Sequence, residues 1–290
     1  MIRISCCIPG GSFMPQGEGA IPLSPLKTLM QGMHMVQTLG YDCAEATVGM
    51  IMALSEDDVL TLKGEFDMGN VTSSSPSPAD PAKRFRLEAC NSFIPNHLPM
   101  ITDEAGTKAL YTYAEQAIAR MAKLGVRYVV FGSGKMRTIP QGVDRAEAEK
   151  QLDRFLIHCN ACCETYGMTL VVEPLNKKET NWCNTVAEGA AVVRRLQLPH
   201  VRLLADGYHM AQEGEAVSVL RENSDILLHC HIASTDRHIP GTTSYEGDFI
   251  DTLCAMQYDG IVTVECGFKD FEKEAAAAAE YLRKRIAANA

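Results

Sequence analysis

Eight short apolar runs punctuate this chain, each followed by a longer segment of helical periodicity, and no other feature restricts the fold so strongly. The runs are "IRISCCIP" (2–9), "YDCAEATV" (41–48), "RFRLEAC" (84–90), "RYVVFGS" (127–133), "TLVVEPLN" (169–176), "VRLLADG" (201–207), "ILLHCHIAS" (226–234) and "GIVTVECG" (260–267). They are mostly continuous rather than strictly alternating, as expected of parallel strands covered on both faces. Between them, segments such as "TKALYTYAEQAIARMAKLG", "DRAEAEKQLDRFLIHCNACCETYG" and "NTVAEGAAVVRRLQ" open after a Thr, Asp or Asn that can cap a helix, and several close on Gly. Eight βα units in 290 residues predict an α/β chain folded as one (β/α)8 barrel domain over 1–290. The Ser- and Pro-rich segment 70–83 falls inside this pattern and reads as a long loop, with a lid as its candidate role, rather than as a domain linker.

Charge and cysteine usage narrow the function classes. A net charge of −9 disfavours nucleic acid and anionic membrane surfaces as partners and leaves small molecules. The 11 cysteines sit mostly in apolar runs, as reduced thiols do. Cys159, Cys162 and Cys163 have no second pair at zinc spacing and read as buried small hydrophobes. The N-terminal apolar run is too short for a signal peptide, and no stretch approaches the ~20 apolar residues of a membrane span, so a soluble cytoplasmic protein is expected. Homo-oligomerisation, as a dimer or a tetramer, is left open.

In such a barrel the chemistry sits where strands end and βα loops begin. The polar residues finishing the later runs are Glu173, Asp206, His231 and Glu265, spaced 33, 25 and 34 residues apart, about one βα unit each. Three carboxylates converging without a cation would repel one another and lose hydration, and a divalent ion removes that objection. Carboxylates and an imidazole, with no thiolate, suit one Mn²⁺, Mg²⁺, Co²⁺ or Zn²⁺, of which Mn²⁺ is the expected ion.

The stretches "VVEPLNKKET", "LADGYHM", "HCHIASTDRHIPG" and "VECG" resemble the sugar isomerase and epimerase branch of the xylose-isomerase-like barrels, which includes ketose 3-epimerases, hydroxypyruvate isomerases and inosose-processing enzymes. The resemblance covers the chain in outline and is specific over 169–267. It implies that Glu173, Asp206, His231 and Glu265 bind one divalent metal and that Glu173 and Glu265 exchange protons with the substrate. It also implies that Glu179, His209 and Arg237 contact the substrate, since they stand six residues after the first ligand, three after the aspartate and six after the metal histidine. Glu45 and His97 are candidates for lining the mouth, and His229 reads as a core or supporting residue. The pocket walls are expected in 9–20, 90–97 and 132–142. Within the last, "GSGK" lacks full phosphate-loop spacing and reads as a βα turn, although Lys135 and Arg137 could meet a phosphate or an acid.

The activity implied is isomerase chemistry on a ketose or related polyhydroxy carbonyl compound through a metal-stabilised enediolate, bound without a phosphate. Epimerisation and aldose–ketose isomerisation need the same metal and bases. The alternatives are a metal-dependent dehydratase or lyase on a keto-sugar or keto-inositol, a DNA-repair endonuclease on the same barrel, and a non-catalytic sugar-binding subunit. The acidic charge opposes the endonuclease, and the paired glutamates oppose a mere binder.

Overall fold

The computed structural model describes residues 1–9, 23–66 and 85–289. Segment 70–83, and almost all of the expected wall at 9–20, lie outside those residues. The strands are β1 (Arg3–Cys7), β2 (Cys43–Thr47), β3 (Leu87–Asn91), β4 (Tyr128–Phe131), β5 (Thr169–Val172), β6 (Val201–Asp206), β7 (Leu227–Ile232) and β8 (Ile261–Val264). Each of the eight apolar runs supplies one. They pair in parallel and in chain order, and β8 closes back on β1, through Arg3 opposite Ile261 and Ile4 opposite Val262. The expected single (β/α)8 barrel is therefore the observed architecture.

The helices are α1 (Pro25–Thr38), α2 (Val48–Met52), α3 (Glu56–Glu65), α4 (Glu104–Lys123), α5 (Gly134–Arg137), α6 (Arg145–Tyr166), α7 (Val186–Leu196), α8 (Gly207–Glu213), α9 (Val219–Glu222), α10 (Ser244–Ala255) and α11 (Phe271–Ala287). Local capping explains many of their starts: Asp144 accepts from Glu147 N before α6, and Thr185 from Glu188 N before α7. Helix α4 begins earlier than its "TKALYTY" periodicity indicates, because Asp103 supplies the cap by accepting from Gly106 N. At the far end of α6, Gly167 takes φ 67, a left-handed stop that glycine adopts without penalty.

Alternation along the strands divides the interior in two. Cys6, Ala44, Val129, Val172, Leu203 and Val264 join the large core between sheet and helices. The intervening residues point into the barrel, where Cys43, Ala89, Tyr128 and Ile261 form one apolar cluster and Val130, Val171 and Leu204 another. The same parity sends Glu45, Asn91, Asp206, His229, His231 and Thr263 inward. No helix among the described residues is long and apolar enough to cross a membrane.

Candidate active site

Asp206 is the last residue of β6 and the N-cap of α8, and one side chain serves both roles. Its Oδ1 accepts from Tyr208 N at 2.8 Å, tying down the turn, while the register sets Asp206 opposite His231 on β7. Glu173 follows β5 directly and Glu265 follows β8, their backbone N–H groups bonded to Phe131 O and Ile232 O. His231 Nδ1 lies 3.0 Å from Glu173 Oε1 and 3.4 Å from Glu265 Oε2. Donor atoms of Glu173, Asp206, His231 and Glu265 all fall within 4.8 Å of one another, so the four residues matched by spacing do meet.

That ring is short of positive charge. Burial first, and then Glu173 and Glu265, push the Asp206 carboxyl up to about 8. Burial likewise raises Glu173. Burial would depress the His231 imidazole, but the Glu45, Glu265 and Glu173 carboxylates outweigh it and hold it well above its ordinary value. Burial would lift Glu265 too, yet His231 and Arg237 keep it below the usual carboxylate range. Three acids thus share one imidazole, and protons supply the missing charge. A divalent ion would supply it instead, and oxygen and imidazole donors fit such an ion.

Beneath the ring lies an element that the sequence reading misplaced. Glu45 does not line the mouth. It sits in mid-strand on β2, fully buried, and crosses the barrel to β7. His229 Nε2 is 2.9 Å and His231 Nε2 3.1 Å from its carboxylate. Burial would raise Glu45, but His231 and His229 draw it well below the usual carboxylate range. With Nε2 engaged by Glu45, His231 turns Nδ1 toward the carboxylate ring, and the buried glutamate thereby fixes which nitrogen faces the site. His229 is the core residue expected.

His209, on α8, is buried against the cleft. Its Nδ1 accepts from Asn176 N at 3.1 Å and lies 2.8 Å from Asn176 Nδ2. A backbone N–H can only donate, so the ring proton belongs on Nε2, which has no hydrogen-bond partner among the described residues. Burial, and next Arg237, lower this imidazole to about 3, so it stays neutral near pH 7. The outcome is a neutral N–H donor buried without a hydrogen bond among the described residues, with Asp206 Oδ2 3.6 Å away and beyond hydrogen-bond reach.

Arg237 Nη1 donates to Glu179 Oε1 at 2.6 Å, and Nη2 lies 3.5 Å from Glu265 Oε2. The guanidinium stacks over Tyr208, 4.8 Å from the ring centroid. Glu173, Glu179, His209, Arg237 and Glu265 line one cleft of about 350 Å³, room for a small molecule. Non-glycine residues with positive φ gather near it: Ser92 at 53°, Ser133 at 44° and Arg237 at 61°.

Two other expectations are corrected. His97 is exposed and does not line the cleft, since the β3 loop presents Ser92, Ile94 and Asn96 instead. Arg137 is fully buried and cannot reach a ligand's phosphate. It donates to Phe131 O at 2.9 Å and Glu173 O at 2.6 Å and stacks on Phe131 and Trp182, bracing the end of β5. Lys135 does line the cleft.

Two asparagines escaped the sequence reading. Asn91 ends β3 and donates to Glu265 Oε1 at 3.0 Å, and Asn176 aims His209. Asn91 closes an apolar run just as Asp206 does, a signal that was legible; Asn176 carried none until its contact with α8 was known.

The residue 33–285 region matches the model of the xylose isomerase-like TIM barrel family. The chain is 29% identical over 198 residues to a probable ketose 3-epimerase of Synechocystis sp., covering 64% of this chain and 66% of that protein. It is 33% identical over 101 residues to 3-dehydro-D-guloside 4-epimerase of Escherichia coli, covering 34% of this chain and 38% of the other. The aligned stretches thus span less than two thirds of these relatives' own length. Among solved structures, D-psicose 3-epimerase from Clostridium cellulolyticum H10, determined with D-tagatose, superposes with a TM-score of 0.78 at 16% identity over 98% of this chain and 99% of that one, a likeness of fold. A barrel closed in chain order, with a family match running through 33–285, places this chain in the xylose isomerase-like TIM barrel family.

Proposed function

We propose that this protein is a divalent-metal-dependent sugar epimerase or isomerase acting on a ketose or related polyhydroxy carbonyl compound. The observation that carries the reading is the convergence of Glu173 and Glu265, from opposite ends of the β5 to β8 arc, on one ring with Asp206 and His231 at the cleft. These four residues would hold the ion, with Mn²⁺ the expected occupant. Once bound, such an ion supplies Lewis-acid polarisation of a carbonyl, which acidifies the neighbouring C–H.

The chain's own residues do the rest. One of Glu173 and Glu265 removes the carbon-bound proton; in an epimerase the other returns a proton to the opposite face, whereas in an aldose–ketose isomerase it returns to the adjacent carbon. His209 Nε2–H offers a fixed donor to a substrate oxygen, and Asn91 steadies the Glu265 carboxylate. Arg237 already has Glu179 and Glu265 beside it, which favours recognition of hydroxyls over capture of a phosphate. The similarity to a probable ketose 3-epimerase and to 3-dehydro-D-guloside 4-epimerase supports the same class.

The test is to incubate Mn²⁺-loaded protein with a panel of ketoses, keto-inositols and their phosphates in D₂O. Exchange of one carbon-bound proton is expected, with a free ketose preferred over its phosphate, and loss of turnover by several orders of magnitude in Glu265→Gln. Absence of exchange across the panel overturns the proposal. Near-normal turnover in Glu265→Gln removes that residue from proton transfer, and net loss of water from the product makes the enzyme a dehydratase.

A further inference from the structure

Outside the barrel, where α4 packs on α6, a second group of metal-binding side chains converges from two helices. His158 and Cys162 are four residues apart on α6 and so share a face, and Glu115 comes from α4. Cys162 Sγ lies 3.7 Å from His158 Nε2, and Glu115 Oε1 lies 3.4 Å from the same nitrogen. One donor atom from each residue falls within 4.8 Å of the others.

These separations are poor hydrogen bonds and good polyhedron edges. N–H···O bonds in proteins span about 2.7–3.2 Å, so Nε2 has only a long hydrogen bond to the Tyr111 carbonyl at 3.3 Å, with Glu115 Oε1 at 3.4 Å. A tetrahedral Zn²⁺ with bonds of about 2.0–2.3 Å instead sets neighbouring donors about 3.4–3.6 Å apart. The ring is held ready, because Tyr111 stacks flat on His158 with centroids 4.2 Å apart and planes at 18°. Glu115 is largely exposed, which gives an ion a way in, while Cys162 closes the buried side.

We propose that Glu115, His158 and Cys162 form a peripheral site for a thiophilic divalent cation, Zn²⁺ foremost, that clips α4 to α6. Water or the Tyr111 carbonyl completes the coordination. Burial and then Glu115 raise the Cys162 thiol, so binding displaces the thiol proton to solvent while the imidazole proton resides on Nδ1. The site is independent of the barrel centre, whose four donors include no sulfur, and it stands whether or not the proposed activity does.

Cobalt separates the two. Titrated into the full-length apoprotein, Co²⁺ should yield a thiolate-to-metal charge-transfer band and one tightly held equivalent more than in Cys162→Ser. That variant, and His158→Gln as a second check, should lose the band and the extra equivalent while keeping wild-type circular dichroism. Zn²⁺ should raise the melting temperature of the wild type above that of Cys162→Ser under the same conditions. The proposal is overturned if no thiolate band appears, if the band persists in Cys162→Ser, or if the extra equivalent is lost on gel filtration.

Discussion

Gly132→Ala tests the geometry of the site with one methyl group. Gly132 follows β4 and is not among the glycines with positive φ, so its backbone accepts alanine. A Cβ built there would lie 2.2 Å from Glu173 Oε2, whereas ordinary van der Waals contact begins at 3.4 Å, so the gap to be opened is 3.4 − 2.2 = 1.2 Å. The carboxylate cannot retreat freely, because Oε1 is engaged by His231 and the Glu173 backbone carbonyl by Arg137. Misplacing a reacting group by about 1 Å costs roughly 10²-fold in rate, or about 2.7 kcal/mol of transition-state stabilisation. The expected result is a kcat about a hundredfold lower, with circular dichroism unchanged and weaker Mn²⁺ binding in calorimetry. Gly64→Ala is the control, since nothing lies within 4 Å of its added Cβ on the exposed side of α3. It should keep full activity and gain a fraction of 1 kcal/mol, at most ~1, from helix propensity. A folded Gly132→Ala enzyme within a few-fold of wild-type kcat would refute the placement of Glu173.

Arg137→Ala should destabilise the fold by about 3 kcal/mol or more, because it takes the guanidinium donor from the buried Glu173 carbonyl, leaves Phe131 O with only the Glu173 N–H, and opens a cavity beside Trp182; denaturant unfolding reads this directly, and a loss below about 1 kcal/mol would contradict it. Mn²⁺ at about a hundredfold excess over its Kd should stabilise the chelated protein by about 2.7 kcal/mol, and an unchanged melting temperature would count against a metal at the ring. His209 is held near 3 in the fold against about 6.5 unfolded. Below 6.5 the unfolded chain therefore binds a proton that the folded one refuses, so stability is full above 6.5 and falls as pH drops toward 3. Its ring resonances should not titrate between pH 5 and 9, a range within which movement would show the imidazole to be exposed.

How much of this was legible in the sequence depends on how far apart the interacting residues stand. The eight strands announced themselves because an apolar run and its following helix are contiguous, and the period-2 alternation that turns Glu173, Asp206 and Glu265 inward is a property of each strand alone. The spacing of one βα unit then carried those groups and His231 to a common level without any knowledge of packing. Glu45 shows where such reasoning stops: it sits 184 residues from His229, and only closure of the barrel lays β2 across from β7. His97, in the loop after β3, and Arg137, at the end of the short α5, both follow strands at the correct end of the barrel, and one ended exposed while the other was sealed under Trp182. Nothing local distinguished them. Glu115 and His158 likewise meet only because α4 packs on α6. What the sequence determined by itself is what repeats at short range, the strand-and-helix rhythm and the direction each strand residue faces; the pairing of buried charges was decided by tertiary closure, because a carboxylate's partner is set by the low-dielectric interior it enters and not by its neighbours in the chain.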